Sequence, residues 1–181
     1  MTTLKNIIIH AILGNQPIFA NVATGVHEGN ITKTLESAAA TRYLLGTPGS
    51  APGEVDICGD SDAPLGVITD EGAAGDPVNV AMLGGASSTL LMVANGPITA
   101  GSAVYTAADG KVQEQPEISG NYFQVGFAVT AAASDGDRLE VMPVTPRFTI
   151  VLDPFSGTAA TDIDALGVAL SEAPDKVIVL P

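Results

Sequence analysis

Alternating apolar and polar positions recur along this chain, and one such pattern occurs twice. Residues 65–82 and residues 125–142 each begin apolar–Gly–apolar, pass through small residues to a Gly-Asp pair, and then place apolar residues at alternate positions. Alternation on both sides of a Gly-Asp turn is typical of two half-buried strands joined by a hairpin or short loop. The two copies, about sixty residues apart, predict one small β-domain built from two related strand–turn–strand units.

Further strand signals surround the two copies at short, regular intervals. Asp109-Gly110 lies between two short strand-like stretches and predicts a hairpin turn, since this dipeptide accepts the positive φ that a tight turn needs. Short strands every eight to twelve residues favour a sandwich or small barrel over βαβ units. We therefore predict a mainly β fold, a small β-barrel or β-sandwich at residues 41–146. The predicted strands are residues 41–46, 55–58, 65–69, 78–83, 89–94, 104–106, 111–113, 122–130 and 138–144.

Two segments flank this predicted domain. Residues 1–40 are apolar in places but lack a sustained period, so we expect an extended amino-terminal arm or lead-in, in which residues 32–40 could form one short helix. Pro143 and Pro146 mark a boundary, after which residues 147–181 predict a strand–helix–strand addition with its helix at residues 160–172. Such an addition is too small to fold alone, so we expect it to pack on the main domain or on a neighbouring subunit.

The charge of the chain excludes one large class of partners. The formal net charge is −13, and only seven Lys and Arg residues are scattered along the sequence. Nucleic-acid binding needs clustered basic residues, so we expect no DNA or RNA partner. Residues 1–40 are neutral, while residues 41–146 carry a net charge of −10 and residues 147–181 a net charge of −3. An acidic shell keeps copies apart except where they dock, so the neutral, apolar segment is the expected docking site.

The motifs of common enzymes are absent from the sequence. There is no GxxxxGK[ST] phosphate loop, no GxGxxG opening a helix and no GxSxG elbow, and the histidines are His10 and His27. We therefore expect no enzymatic activity and no cofactor. No apolar run reaches the roughly eighteen residues that span a bilayer, so we expect no membrane partner. Cys58 is the one cysteine, and we expect it to be a small core residue.

Two acidic clusters, at residues 56–62 and 135–137, allow two interpretations. Closely spaced carboxylates in a Gly-rich loop could hold a structural cation such as calcium, but the spacing does not match an EF-hand loop. The simpler interpretation is that they are solvated turn acids. Asp76 and Asp137 occupy equivalent places in the two copies, and we expect their carboxylates to bond nearby backbone amides.

The sequence resembles the head decoration, or capsid cement, proteins of tailed bacteriophages. The resemblance rests on LGVITDEGAAGDPVNVAM at residues 65–82, ITAGSAVYTAADGKV at 98–112, QVGFAV at 124–129 and GDRLEVMPV at 136–144. Ser102 stands where the family usually has Asp in an Ala-Gly-Asp turn. The resemblance implies a small β-barrel or sandwich that binds the outer surface of a mature phage capsid. It also implies a trimer that clamps neighbouring copies of the major capsid protein.

From this resemblance and the charge pattern we expect a structural virion protein that decorates a phage head and stabilises its coat lattice. Alternatives are another β-rich virion or cell-surface binding module, such as a fibre base, a head–tail component or a carbohydrate-binding domain. The absence of Trp disfavours sugar binding, because sugar sites usually present exposed aromatic rings. The residues predicted to form the capsid or subunit interface are Leu4, Ile7, Ile8, Ile9, Ile12, Ile18 and Phe19.

Overall fold

Eleven β-strands make up nearly all of the regular structure in the described residues, which are 29–85, 88–152, 167 and 177–179 of this computed structural model. The prediction of a mainly β fold containing a barrel is confirmed. A short 3₁₀ turn, Ala108–Gly110, separates the seventh and eighth strands. The strands are β1 Asn30–Leu35, β2 Leu44–Pro48, β3 Glu54–Ile57, β4 Gly66–Ile68, β5 Pro77–Met82, β6 Leu90–Val93, β7 Ala103–Thr106, β8 Val112–Gln113, β9 Gly120–Ala128, β10 Arg138–Val151 and β11 Val177–Val179.

The first five strands form a closed barrel, which we call the first unit (residues 30–82). Its strand order is β1-β3-β2-β4-β5, and β5 pairs back onto β1. Only β1 and β3 are parallel, and the other pairs are antiparallel. Alternate side chains along each strand point inward and form a separate apolar core. That core comprises Leu35, Ala39, Val55, Ile68, Val78 and Val80.

The next five strands follow the same circuit and form the second unit (residues 90–151). Strand β10 pairs with β6 and β9, β9 pairs with β7, and β7 pairs with β8. A parallel bridge between Ala94 and Val112 brings β8 back to the end of β6. The Asn95 N–H donates to the Val112 carbonyl at 2.7 Å, as the Glu36 N–H donates to the Val55 carbonyl at 2.9 Å in the first unit. The duplication therefore covers five strands per copy, and the repeated sequence pattern is its carboxy-terminal part.

The Gly-Asp turns close both units in the same way. In the first unit the Leu35 N–H donates to the Asp76 carbonyl at 2.9 Å, and the Gly75 N–H donates to the Leu35 carbonyl at 2.8 Å. In the second unit Ala94 makes the same two bonds with Asp137 and Gly136, at 2.8 and 2.9 Å. Both turn glycines have a positive φ, 90° for Gly75 and 84° for Gly136, which L side chains rarely adopt.

The core of the second unit continues onto the outer face of the first. Its interior positions match those of the first unit one for one: Ala94, Ile98, Val112, Ala128, Leu139 and Val141 take the places of Leu35, Ala39, Val55, Ile68, Val78 and Val80. Leu45, Val67 and Ala81, on the outer face of β2, β4 and β5, belong to the same buried cluster as the second unit's interior. The two units are therefore fused through one continuous apolar core.

Two expectations about the flanking segments need correction. The short helix considered for residues 32–40 is wrong, because Asn30–Leu35 is a strand paired with β5 and β3. Its alternating and β-branched residues suit a pleated, half-buried position. The first barrel strand thus lies within the 1–40 segment predicted as a lead-in. At the other boundary β10 runs unbroken across Pro143 and Pro146, and a register irregularity between Pro143 and Arg147 accommodates residues that lack an N–H.

The carboxy-terminal addition is described in part. Strand β11 lies within the predicted final strand and pairs in parallel with the end of β10 at Thr149–Val151. The predicted helix at residues 160–172 lies outside the described residues, apart from Gly167. Among the described residues, no helix has the length and apolar character needed to cross a membrane.

Candidate interaction surface

The predicted interface residues and both histidines lie outside the described part of the chain. Leu4, Ile7, Ile8, Ile9, Ile12, Ile18 and Phe19 all precede Gly29, the first described residue. Their role therefore stays a prediction. The described residues contain a different apolar surface that the sequence analysis did not identify.

This surface, which we call the apolar patch, comprises Leu91, Phe127, Val129 and Met142. They are four of the five large apolar residues that are exposed in the described part of the chain, with exposed fractions of 41%, 38%, 47% and 53%. Phe127 lies directly opposite Met142 across the β9–β10 pair. Positions two apart on a strand share a face, so Val129 lies beside Phe127 on the outer face of the second unit. Contiguous exposed apolar residues of this kind mark interaction sites.

One carboxylate lies within the patch. Glu140 is opposite Leu91 across β6–β10, and its carbonyl accepts a hydrogen bond from the Val129 N–H at 2.7 Å. The Glu140 carboxylate accepts a hydrogen bond from the Thr89 hydroxyl. The patch therefore presents apolar side chains around a single acid that already has a partner.

The edge of the patch meets the junction between the units. Arg138, two residues before Glu140 on β10, places its guanidinium carbon 5.1 Å from the centre of the Tyr43 ring of the first unit. This distance suits a cation–π contact. Tyr43 adopts a φ of 71°, which is rare for an aromatic residue. The Arg138–Tyr43 contact therefore joins β10, the strand that carries Met142, to the first unit.

The equivalent face of the first unit is covered. Cross-strand neighbours Leu45, Val67 and Ala81 in the first unit correspond to Ala103, Phe127 and Met142 in the second. The first three are 0%, 1% and 5% exposed. They belong to the same buried cluster as Met92, Val104 and Val112 of the second unit, and the Gly110 N–H of the second unit donates to the Cys58 carbonyl at 2.7 Å. One face is thus buried in one copy of the fold and open in the other.

Asp76 and Asp137 are turn acids. The Asp76 carboxylate accepts a hydrogen bond from the Ala73 N–H at 2.8 Å, and the Asp137 carboxylate accepts two, from Ala133 and Ser134, both at 3.0 Å. These backbone bonds hold the pKa of Asp137 below its usual value. The predicted role of both residues is confirmed. Within the described residues no group of three or more His, Cys, Asp or Glu side chains could hold a metal ion.

The Glu114 carboxylate lies at the turn that contains Ser102, the residue that replaces the usual Asp of the cement-like pattern. Its carboxylate accepts hydrogen bonds from the Thr99 N–H and, at 3.1 Å, from the Ser102 hydroxyl. The bond from Thr99 is the main cause of the lowered pKa of Glu114. A carboxylate is therefore still present at this turn, supplied from β8's end rather than from position 102.

Cys58 is a core residue and not a reactive thiol. Burial, followed by the nearby charges of Asp62 and Asp60, raises the pKa of Cys58 to about 12. Only the thiolate is nucleophilic, so this side chain is inert at neutral pH. Its Sγ donates to the Gly59 carbonyl at 3.3 Å. The prediction of a small buried residue is confirmed.

A shallow cleft lies beside Tyr122. It has a volume of about 380 Å³ and is lined by residues 95–97 and 113–118 together with Tyr122. Its titratable lining groups are Glu114, Glu117 and Tyr122, and no His, Cys or Lys side chain lines it. Burial raises the pKa of Tyr122, so its phenol stays protonated at neutral pH.

Two comparisons with known proteins give a consistent result. The family model for phage cement proteins matches residues 26–143. The N base of the head fiber protein gp8.5 from bacteriophage phi29 has a similar structure, with a TM-score of 0.51 at 19% identity. The alignment covers 64% of this chain and 93% of that one, and it shows a shared fold. No curated protein is a significant match. Because the family match spans well over half of the chain, this protein belongs to the phage cement protein family and is a structural protein of the virion associated with the phage capsid.

Proposed function

We propose that this protein binds the outer surface of the capsid and stabilises the coat lattice as a trimer, with the major capsid protein as its partner. The observation that carries the proposal is the family match at residues 26–143, which includes nine complete strands and the start of β10. The protein works through surfaces and performs no reaction. The inert Cys58 is in keeping with this role.

The charge of the chain supports an outward position. A net charge of −13 is repelled by packaged DNA, whose phosphates attract clustered Lys and Arg. The described basic side chains are dispersed, and three of them are engaged: Arg42 pairs with Glu71 at 3.9 Å, Lys111 pairs with Asp135 at 2.6 Å, and Arg138 lies over Tyr43. We therefore propose no nucleic-acid partner and no membrane partner.

The docking contacts are proposed to come from the amino-terminal segment. Residues 1–40 have no net charge, so they can approach a protein surface without the repulsion that the acidic remainder of the chain would meet. Leu4, Ile7, Ile8, Ile9, Ile12, Ile18 and Phe19 would bury their side chains against the coat or against neighbouring subunits. Three such contacts in one trimer would bind with a high effective concentration, so that modest single contacts give tight retention.

The mass of the purified protein and its co-sedimentation with capsids that lack it test the proposal together. We expect a trimer and saturable binding. Replacing Ile7, Ile8 and Ile9 by Ser should weaken binding at least tenfold, while replacing Asn15 and Gln16 by Ser in the same segment should leave it unchanged. A monomer that does not sediment with capsids would overturn the proposal. A folded deletion of residues 2–20 that still reaches full occupancy would remove the amino-terminal docking contacts.

A fibre base is the second candidate function, favoured by the fold shared with the N base of gp8.5. Electron microscopy of capsids carrying this protein distinguishes the two. A cement protein forms a low feature that contacts several coat subunits, whereas a fibre base carries a thin projection away from the shell. A carbohydrate-binding role has less support, because Tyr105 and Tyr122 are both buried and cannot offer open ring faces to a sugar.

A further inference from the structure

We infer that the apolar patch on the second unit binds residues 4–19 of this chain. The inference goes beyond the proposed function: it concerns the protein before it meets a capsid, and it rests on that function only for treating residues 4–19 as a docking segment. It names the surface that the segment occupies: Leu91, Phe127, Val129 and Met142. Three features support it: the apolar character of the patch, the neutral charge of the amino-terminal segment, and the position at which that segment joins the first unit.

The face itself is of a kind that this fold covers. In the first unit the equivalent positions are buried under the second unit. In the second unit two of the three side chains there are larger, with Phe127 in place of Val67 and Met142 in place of Ala81, while Ala103 is smaller than Leu45. A surface meant to face water would carry polar groups at these positions, as the remainder of this acidic molecule does.

Charge selects the amino-terminal segment among the other parts of the chain. Residues 1–28 contain one Lys, one Glu and seven of the large apolar side chains named above. Residues 153–176 contain five acidic residues and one Lys, so they would bring a net charge of −4 towards Glu140. The neutral segment meets no such repulsion and offers enough apolar area to cover the patch.

The position of the chain favours the same segment. The Gly29 carbonyl accepts a hydrogen bond from the Met82 N–H at 2.7 Å, and its Cα lies 3.8 Å from where a Cβ on Gly85 would be. The adjacent Gly84 abuts Thr145 of β10, which is three residues from Met142, or about 10 Å along the strand.

The two chain segments differ in their reach to the patch. The nine residues between Phe19 and Gly29 can span roughly 30 Å, more than this distance requires. The carboxy-terminal segment instead leaves at Leu152, about 33 Å along β10 from Met142, and returns beside Thr149. Residues 4–19 are therefore the part of the chain best placed to cover the patch.

Limited proteolysis of the purified full-length protein tests the inference. Lys5 is the one trypsin site before Lys33, so cleavage after Lys5 reports whether the segment is free. We expect Met142→Glu to accelerate this cleavage at least tenfold. The matched control is Ile118→Glu, at an equally apolar but more exposed position outside the patch, and it should leave the rate unchanged. Equal rates for the wild type and both variants would overturn the inference.

Disulfide trapping gives a second readout. In a Cys58→Ala background, Ile8→Cys should form a disulfide with Met142→Cys at least tenfold faster than with Ala74→Cys, an exposed position on the first unit. A bond within one chain supports the inference, whereas a bond only between two chains would overturn it, because the occupant would then be a second copy. Equal trapping at the two positions would contradict it.

Capsid binding separates this inference from the proposed function. If Met142→Glu abolishes co-sedimentation with capsids while cleavage after Lys5 stays at the wild-type rate, the patch binds the coat directly. That result would overturn the inference and leave the proposed function intact. If the wild-type protein failed to bind capsids, the proposed function would be overturned. The rate of cleavage after Lys5 and the rate of disulfide trapping, both measured on the purified protein, would be unaffected by that result.

Discussion

The two units of this protein share one backbone circuit and differ in what lies on their outer faces. In the first unit Leu45, Val67 and Ala81 are buried by the second unit. In the second unit the corresponding Ala103 is half-buried, and Phe127 and Met142 are 38% and 53% exposed. The hydrogen-bonded circuit and the Gly-Asp closure are kept in both copies, so the backbone does not determine which face is covered. The repeated circuit thus leaves exposed in one copy a face that is buried in the other.

The largest contrast between the units should come from placing a charge on the two equivalent faces. Val67→Glu buries an unpaired carboxylate in the shared core and should cost about 4 kcal/mol or more of unfolding free energy. Phe127→Glu introduces the same charge outside the shared core, where it displaces at most the amino-terminal segment, and it should cost about 1 kcal/mol or less. Urea unfolding of both variants measures the difference. Similar losses would mean that the two faces are equally buried in solution.

A feature that the units share should respond equally in both. A Cβ on Gly66 would lie 2.4 Å from the Ala81 carbonyl oxygen, and one on Gly126 would lie 2.5 Å from the Met142 carbonyl oxygen. Gly66→Ala and Gly126→Ala should therefore each cost about 2–3 kcal/mol, because the paired strands must move apart. Gly85→Ala, whose Cβ would approach nothing closer than 3.8 Å, serves as the control and should change little. If Gly126→Ala were tolerated, the second unit would be the looser of the two.

The Gly-Asp turns should differ modestly in their response to acid. Asp137 accepts more hydrogen bonds than Asp76, and its pKa is lowered by those from Ala133 and Ser134. A lowered folded-state pKa means that the stabilisation is present above the unfolded value and is lost as the pH falls through the folded value. Asp137→Asn should therefore lower the Tm at pH 7 more than Asp76→Asn does. Its difference from the wild type should shrink below about pH 4. A difference that is constant from pH 7 to pH 3 would contradict this account.

The smallest effect concerns the junction of the units. Cys58 lies in the shared core, and its N–H donates to the Leu45 carbonyl at 3.0 Å. With a pKa of about 12, its thiol should not react measurably with a disulfide reagent at pH 8 in the native protein. Under mild denaturant the labelling rate should follow global unfolding measured by circular dichroism, because the units share a core. Labelling that precedes unfolding would show that the units separate first.

The sequence pattern predicted the fold class and the carboxy-terminal half of each unit, because Gly-Asp turns between alternating strands are conspicuous. It did not reveal that the preceding three strands are also duplicated. Equivalent core positions there, such as Leu35 and Ala94 or Ala39 and Ile98, preserve apolar character but not size, so their correspondence depends on pairings that only the folded chain makes. The available signal in the sequence was the similar number of residues between each of these core positions and the Gly-Asp turn of its own unit.

The apolar patch was also missed, for a physical reason. Phe127 and Met142 alternate with buried neighbours in the sequence, and alternation distinguishes the two faces of a strand without indicating what each face contacts. Val67 and Ala81 occupy the same positions of the same repeat and are buried. Only the packing of the second unit on the first shows which face is left open.

The core of the second unit depends on the first unit, whereas the core of the first unit is separate, and this difference affects how the chain folds. Each unit closes through a backbone hydrogen bond between residues about forty apart, Leu35 with Asp76 and Ala94 with Asp137. Within the described part of the chain, no equivalent Gly-Asp closure joins one unit to the other. The first unit has a separate interior, whereas the interior of the second is completed by a surface of the first. During synthesis the amino-terminal barrel can thus close while the remainder is still on the ribosome, and it then serves as a template for its successor.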